Sequence, residues 1–470
     1  MLLGELVKSM RRPVIRPQIL PLIVVVGWWL LTLLSFQIGW PLSYIKTNSG
    51  LVLILVLCTA TLTVIAYIGT LQMTAVARKD LRHDLVPKWG ALVGLALLPL
   101  SVAVYTRYSI WDLPYALLHQ GESYEGGLLV ASEGSEGRLP FLGVSILLSP
   151  IVLTSVPYFA YRWFRDRSYP YWLFASALPL ALFSFYVGRD QSIGLLLSLV
   201  IAAWLASAGS SQAAKERVQN LLLVIAVVIV FAVQSALRKL DRVGDLITSP
   251  SVAPEANVGP SAASPTPTIG LPEPTCVTWP GTLTCLNDQE SGLLAGARMV
   301  ASYATQGYEG LGHALEATWR FSGGYGHSPA VTNALQTLGV VSKGDATCAG
   351  AVGDQLECLG WSSDGLWSTA FTQLANDVPW ILVPLVVAVM GMLLAMSRSA
   401  ITSEASFLPV SVFAYTFVGL VWMPMNFQLG ASGSIYIGYI ALVVAFLTTT
   451  RLGRNDNQFS LPGKTRHAGR

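Results

Sequence analysis

A chain of 470 residues in which 53% of side chains are hydrophobic and only 12% are charged falls outside the ordinary soluble globular class, where roughly 25% are charged. Its mean hydropathy of +0.55 and its succession of long apolar runs place it in lipid. The formal charge of +3 identifies no partner by itself, and neither a nucleic acid nor a cofactor is expected.

Lys8, Arg11, Arg12 and Arg16 precede an apolar run, Ile19 to Ile38, that is long enough to span rather than serve as a cleaved signal core. Runs able to cross a hydrocarbon core of about 30 Å follow near 18–39, 50–71, 90–106, 140–161, 169–187, 192–208, 218–237, 379–396, 405–424 and 433–449. Pro150 and Pro157 in the fourth and Pro179 in the fifth predict kinks. Basic residues set the orientation. With the N-terminus inside, the cytoplasmic segments hold Arg78, Lys79, Arg82 and Lys88, then Arg162, Arg165 and Arg167, then Lys215, Arg217, Arg398 and the tail 451–470. Most Asp and Glu residues fall on the opposite side. Ten crossings return both termini to the cytoplasm, and the 14 Trp and 17 Tyr suit two interfacial aromatic belts.

The expected fold is therefore all-α and integral to the cytoplasmic membrane, with about ten transmembrane helices. Residues 1–237 hold spans one to seven and an acidic outer loop at 107–139. Residues 238–378 form a large helical, disulfide-containing outer loop, 379–450 hold spans eight to ten, and 451–470 form a basic cytoplasmic tail. Within the large loop, 247–274 is rich in Pro, Ser, Ala and Thr and predicts a flexible arm. From 288 to 378 the chain reads as membrane-surface helices at 291–307, 311–319 and 367–380. Tyr303 to Leu311 reads as a helix–turn–helix joint with Gly307 as its C-cap. Four thiols outside the cytoplasm, Cys276, Cys285, Cys348 and Cys358, favour two disulfides. Three pairings are open, and the local pairs Cys276–Cys285 and Cys348–Cys358 are favoured because each closes a short loop. Zinc would need ligands spaced more closely, so no metal site is expected.

Gly188-Arg189-Asp190-Gln191-Ser192 sits at the outer end of two short spans. An Arg–Asp pair there either caps helix ends or serves substrate, and a guanidinium meets phosphate oxygens bidentately. Arg320 to Pro329, R-F-S-G-G-Y-G-H-S-P, offers glycine amides that can converge on an anion, Arg320 as charge and His327 as a base. Its plainer reading is an ordinary glycine-rich loop. Ser368 or Thr369 is a candidate helix cap. Asp377 sits where a carboxylate can face an outer-leaflet substrate, although capping or solvation would place it there equally. Asn426 and Gln428 can hydrogen-bond sugar hydroxyls or simply line a turn.

Five stretches in order, GRDQSIG (188–194), YATQGYEGL (303–311), GYGHSP (324–329), WSTAF with NDV (367–371, 376–378) and WMPMNFQ (422–428), resemble the bacterial O-antigen and exopolysaccharide repeat-unit polymerases of the Wzy type. The resemblance implies a metal-independent glycosyltransferase that joins polyprenyl-diphosphate-linked repeat units on the outer face of the cytoplasmic membrane. Arg189 and Arg320 would stabilise the leaving diphosphate, with Gln191, Tyr308, Asn426 and Gln428 in substrate binding. Asp377, His327 or Asp190 would deprotonate the acceptor hydroxyl. Glu309 departs from the pattern, where an aromatic residue is expected. The implied partners are lipid-linked glycans and membrane lipid, with room for a chain-length regulator. An O-antigen ligase and a polyprenyl-monophosphate-sugar glycosyltransferase are alternatives. The first outer loop, Trp40 to Gly50, lacks the acidic pair the latter uses, while Asp112 keeps it open. A lipid-linked sugar transporter is the non-enzymatic alternative, against which stand the lack of a convincing repeat and nearly charge-free spans.

Overall fold

The computed structural model describes residues 16–39, 46–73, 84–132, 139–208, scattered positions between 219 and 235, 276–279, 282–285, 292–341, most of 350–361, 368–401 and 406–458. The basic residues Lys8 to Arg12, the segment with Arg78 to Arg82, most of the expected seventh span, Lys215, Arg217, the 247–274 arm, Cys348, Trp367 and residues 459–470 lie outside that set.

In chain order the helices are α1 (Arg16–Ile38), α2 (Ser49–Met73), α3 (Leu85–Tyr105), α4 (Leu113–Leu118), α5 (Gln120–Ser132), α6 (Leu139–Asp166), α7 (Pro170–Val187) and α8 (Gln191–Ser207). A two-stranded ribbon, β1 (Cys276–Trp279) and β2 (Thr282–Cys285), comes next. The remaining helices are α9 (Gly292–Ala314), α10 (Pro329–Thr337), α11 (Val352–Gln355), α12 (Ala370–Ala375), α13 (Val383–Ala400), α14 (Phe407–Val421) and α15 (Gly433–Gln458). Six of them, α1, α2, α3, α6, α7 and α13, are long and apolar enough to cross a membrane. Helix α8, helix α14 and the apolar part of α15 are shorter. α6 runs unbroken past Pro150 and Pro157, as α7 does past Pro179.

Helix α14 is the centre of the bundle, with every residue from Leu408 to Leu420 buried. It packs against α1, α6, α8, α13 and α15, as expected of a helix apolar on all sides. Trp29 of α1 donates its indole N–H to the Leu420 carbonyl at 2.7 Å. Hydroxyls inside the bundle satisfy themselves locally, Thr59 on Leu55 O (2.7 Å), Thr63 on Thr59 O (2.8 Å) and Thr416 on Val412 O (2.7 Å). That keeps polar side chains tolerable where water is scarce.

The region after the ribbon departs from expectation. Residues 303–311 lie within the C-terminal half of one continuous helix, α9, rather than forming a joint between two. Nor does α9 lie only on a surface, since it packs against α1 and α2. Gly307 also brings α9 onto the α14–α15 connection: a Cβ at that position would lie 2.2 Å from the Pro424 carbonyl oxygen, so glycine is required by close approach of two backbones rather than by a helix end. The buried Tyr308 ring packs against Phe36 at 5.7 Å. Its hydroxyl lies 3.1 Å from Thr32 Oγ1 and donates to Trp29 O at 3.3 Å. Tyr308 is thus buried as a core anchor to α1. Glu309, also buried, accepts the Lys46 backbone N–H at 3.0 Å and lies 3.6 Å from His313 Nε2. It fastens the α1–α2 connection to α9. The helix expected at 367–380 shrinks to α12, and Thr369, at its N-cap position, makes no side-chain cap.

Within the ribbon, Cys276 lies directly opposite Cys285 in the antiparallel register. Cys58 is a free thiol.

Candidate active site

Two turns bring the polar residues together at one end of the bundle. The first ends α7. Gly188 adopts φ 63° and its N–H bonds Phe185 O at 3.3 Å, while the Arg189 N–H reaches Ser184 O at 3.2 Å. This is the reciprocal pairing that closes a helix at a left-handed glycine. A Cβ at Gly188 would lie 2.7 Å from Tyr124 N, so α5 is pressed onto this turn. The Arg189 guanidinium then lies over the Tyr124 ring, 5.7 Å from its centroid, a cation–π placement. Asp190 precedes α8, and its carbonyl accepts the Gly194 N–H at 2.8 Å. Its carboxylate at a helix N-terminus is favoured by the dipole. Gln191 Nε2 donates to Gln428 Oε1 at 3.3 Å, joining this turn to the α14–α15 connection.

The second assembly is built on Asp377, between α12 and α13. The glycine-rich segment folds around its carboxylate. Oδ1 accepts the Ser322 hydroxyl and, at 2.9 Å, the Gly324 N–H; Oδ2 accepts the His327 N–H at 2.8 Å and faces His327 Nδ1 at 2.5 Å. The loop amides do converge on an anion, but that anion is the protein's own carboxylate. Burial pushes the Asp377 pKa upward. The hydrogen bonds from Ser322 and from the side chain and backbone of His327, with the imidazole's charge, outweigh it and hold the group below the ordinary carboxylate range. The Asp377 side chain is 8% exposed and has four donors on it, an arrangement that suits a carboxylate orienting its neighbour.

Neighbouring contacts fix the assembly. Ser322 N–H donates to Asn376 O at 2.9 Å. The Asn376 side chain bridges two segments, accepting the Gly353 N–H at 2.7 Å and donating to Gly326 O at 2.8 Å. Ser328 Oγ donates to Gly430 O at 2.9 Å, and the Phe427 N–H donates to Gln373 Oε1 at 2.7 Å. These two bonds seat the α14–α15 connection against the loop and against α12, and the His327 and Phe427 rings meet edge to face at 6.2 Å. Since Asp377 can only accept, Nδ1 of His327 carries a proton, and in the neutral form of the ring Nε2 then presents a lone pair. That nitrogen meets the hydroxyl of Tyr436 on α15.

Asp377, His327, Gln428 and Gln191 are therefore linked by contacts, directly or through Phe427, Ser328 and Gly430. Asn426 lies in the same connection; its N–H donates to Trp422 O at 3.0 Å, and its side-chain oxygen is buried with no hydrogen-bond partner. Arg189 stands two residues before Gln191, and the exposed Arg320 two residues before Ser322. Tyr436 and Ser322 were not legible as site residues. Tyr436 reads as one more aromatic in an apolar run, and Ser322 carries no signal beyond its place in the glycine-rich segment.

The class this defines is a helical protein with membrane-length apolar helices and an oriented imidazole–carboxylate pair at one end of the bundle. No family model, no curated protein and no solved structure matches the chain.

Proposed function

We propose that this chain is a multi-pass glycosyltransferase of the cytoplasmic membrane that polymerises polyprenyl-diphosphate-linked oligosaccharide repeat units on the outer face. The observation that carries the proposal is the Asp377–His327 pair, oriented so that Nε2 is the proton-accepting nitrogen. Forming a glycosidic bond to a sugar hydroxyl calls for such a base, together with cations for the departing diphosphate. Arg189 and Arg320 are assigned that second role, one on each turn that feeds the assembly. Gln191, Gln428 and Asn426 are assigned to sugar hydroxyls. Ten crossings with both termini in the cytoplasm put the assembly outside, where disulfides persist. The facing positions of Cys276 and Cys285 support the local pairing, with Cys348–Cys358 as the second bridge.

Full-length protein in lipid vesicles, supplied only with lipid-diphosphate repeat units, is expected to lengthen the glycan, and His327→Ala to lower that rate at least a hundredfold. Movement of the intact lipid-linked sugar across the bilayer, without chain growth, would establish the transporter instead.

A further inference from the structure

The working nitrogen of His327 is not open. Nδ1 is committed to Asp377 at 2.5 Å, and the Tyr436 hydroxyl stands against Nε2, whose one lone pair in the neutral ring accepts the phenolic O–H. The two rings pack 5.2 Å apart, with Phe427 against the imidazole at 6.2 Å. Tyr436 is not on a loose tether. It lies in the opening turn of α15, its N–H bonded to Ser432 O at 2.9 Å. A proton bound for Nε2 therefore arrives through the phenol, whose oxygen keeps acceptor capacity for a second hydroxyl.

We propose that Tyr436 is a catalytic residue, the group that touches the acceptor sugar and relays its proton to His327; this rests on the glycosyl-transfer reading above. The acceptor O–H donates to the Tyr436 oxygen while the phenolic proton passes to Nε2. The acceptor oxygen bonds to the anomeric carbon of the donor. The bond from that carbon to the diphosphate oxygen breaks, and its electron pair leaves on the diphosphate. The imidazolium, held by Asp377, then returns its proton through Tyr436 to the released diphosphate or to water.

Tyr436→Phe keeps the ring and deletes only the hydroxyl, so it separates relay from packing. Two measurements on full-length protein in lipid decide the matter: the rate at which diethyl pyrocarbonate acylates His327, read by peptide mass spectrometry, and the kcat and acceptor KM of chain elongation. The expected result is several-fold faster acylation, because Nε2 is released, with kcat lowered about a hundredfold and KM little changed. Unchanged acylation overturns the contact on which the relay stands. Faster acylation with undiminished kcat overturns the relay alone, leaving Tyr436 a cover that substrate displaces. A wild-type protein that elongates nothing removes the polymerase reading and the relay with it, which the active wild type of the other outcomes distinguishes.

Discussion

Helix α7 joins two polar clusters built on the same plan and suited to different ends. At its N-terminal end Asp84 accepts the hydroxyls of Tyr158 and, at 2.7 Å, Tyr169. Arg162 donates to Tyr158 at 3.2 Å and to Asp166 at 3.0 Å, and both Arg162 and Lys88 stand over the Tyr169 ring. At the other end, about 27 Å away for 18 residues at 1.5 Å each, lies the turn that leads to Asp377 and His327. Burial pushes the Asp84 pKa up, but hydrogen bonds from Tyr158 and Tyr169 and the charges of Arg162 and Lys88 hold it below the ordinary range, as at Asp377. The partners make the difference. The partners of Asp84 are phenols and cations that keep their protons near neutral pH, with no imidazole among them to receive one, so this cluster is suited to locking helices together. Asp377 instead orients an imidazole, the side chain whose charge changes most readily there. A carboxylate ringed by donors is a clasp in one place and a lever in the other.

Substituting the two carboxylates is the sharpest way to break this comparison. Asp377→Asn is expected to lower elongation kcat by about a hundredfold or more, because the orienting charge is lost. Asp84→Asn is expected to leave kcat alone and lower stability by roughly 1–3 kcal/mol, measured by thermal unfolding in detergent. Equal losses of activity at both positions would erase the distinction. Gly307→Ala comes next. Its Cβ, 2.2 Å from Pro424 O, should cost about 1–3 kcal/mol and displace the connection that carries Phe427 and Gln428. Gly27→Ala, with nothing within 4 Å, should be neutral or slightly stabilising, and a Gly307 variant as stable as this control would refute the close approach.

The smallest effect is on pH dependence, and both clusters share its sign. A carboxylate whose folded pKa lies below its unfolded value contributes stability that is complete above the unfolded pKa. That contribution disappears as pH falls through the folded one. Unfolding temperature should therefore drop below about pH 4, and each Asp→Asn substitution should flatten part of that drop. A profile unaltered in both variants would mean neither carboxylate is held as described.

Much of the fold was legible because lipid imposes a length and an apolarity that the chain displays locally. Nine of the expected runs coincide with described helices, and the remaining one, 218–237, lies largely outside the described residues. Around the site, His327, Asp377, Gln191 and Gln428 could be singled out because polar residues bordering apolar runs are conspicuous. Their roles could not. Whether Asp377 takes a proton or orients a neighbour depends on donors brought from residues some fifty positions away, Ser322 and His327.

Sequence by itself determined the class of environment, the helical character and a short roster of polar residues, since each follows from hydrophobicity summed over one stretch of chain. Tertiary structure alone decided that α9 packs into the bundle through Gly307 and Tyr308, that the Gly324 and His327 amides are taken by Asp377, and that Tyr436 stands on His327. Those outcomes depend on which backbones approach one another, and hydrogen bonds and close contacts reach only about 3 Å, a distance that local composition does not encode.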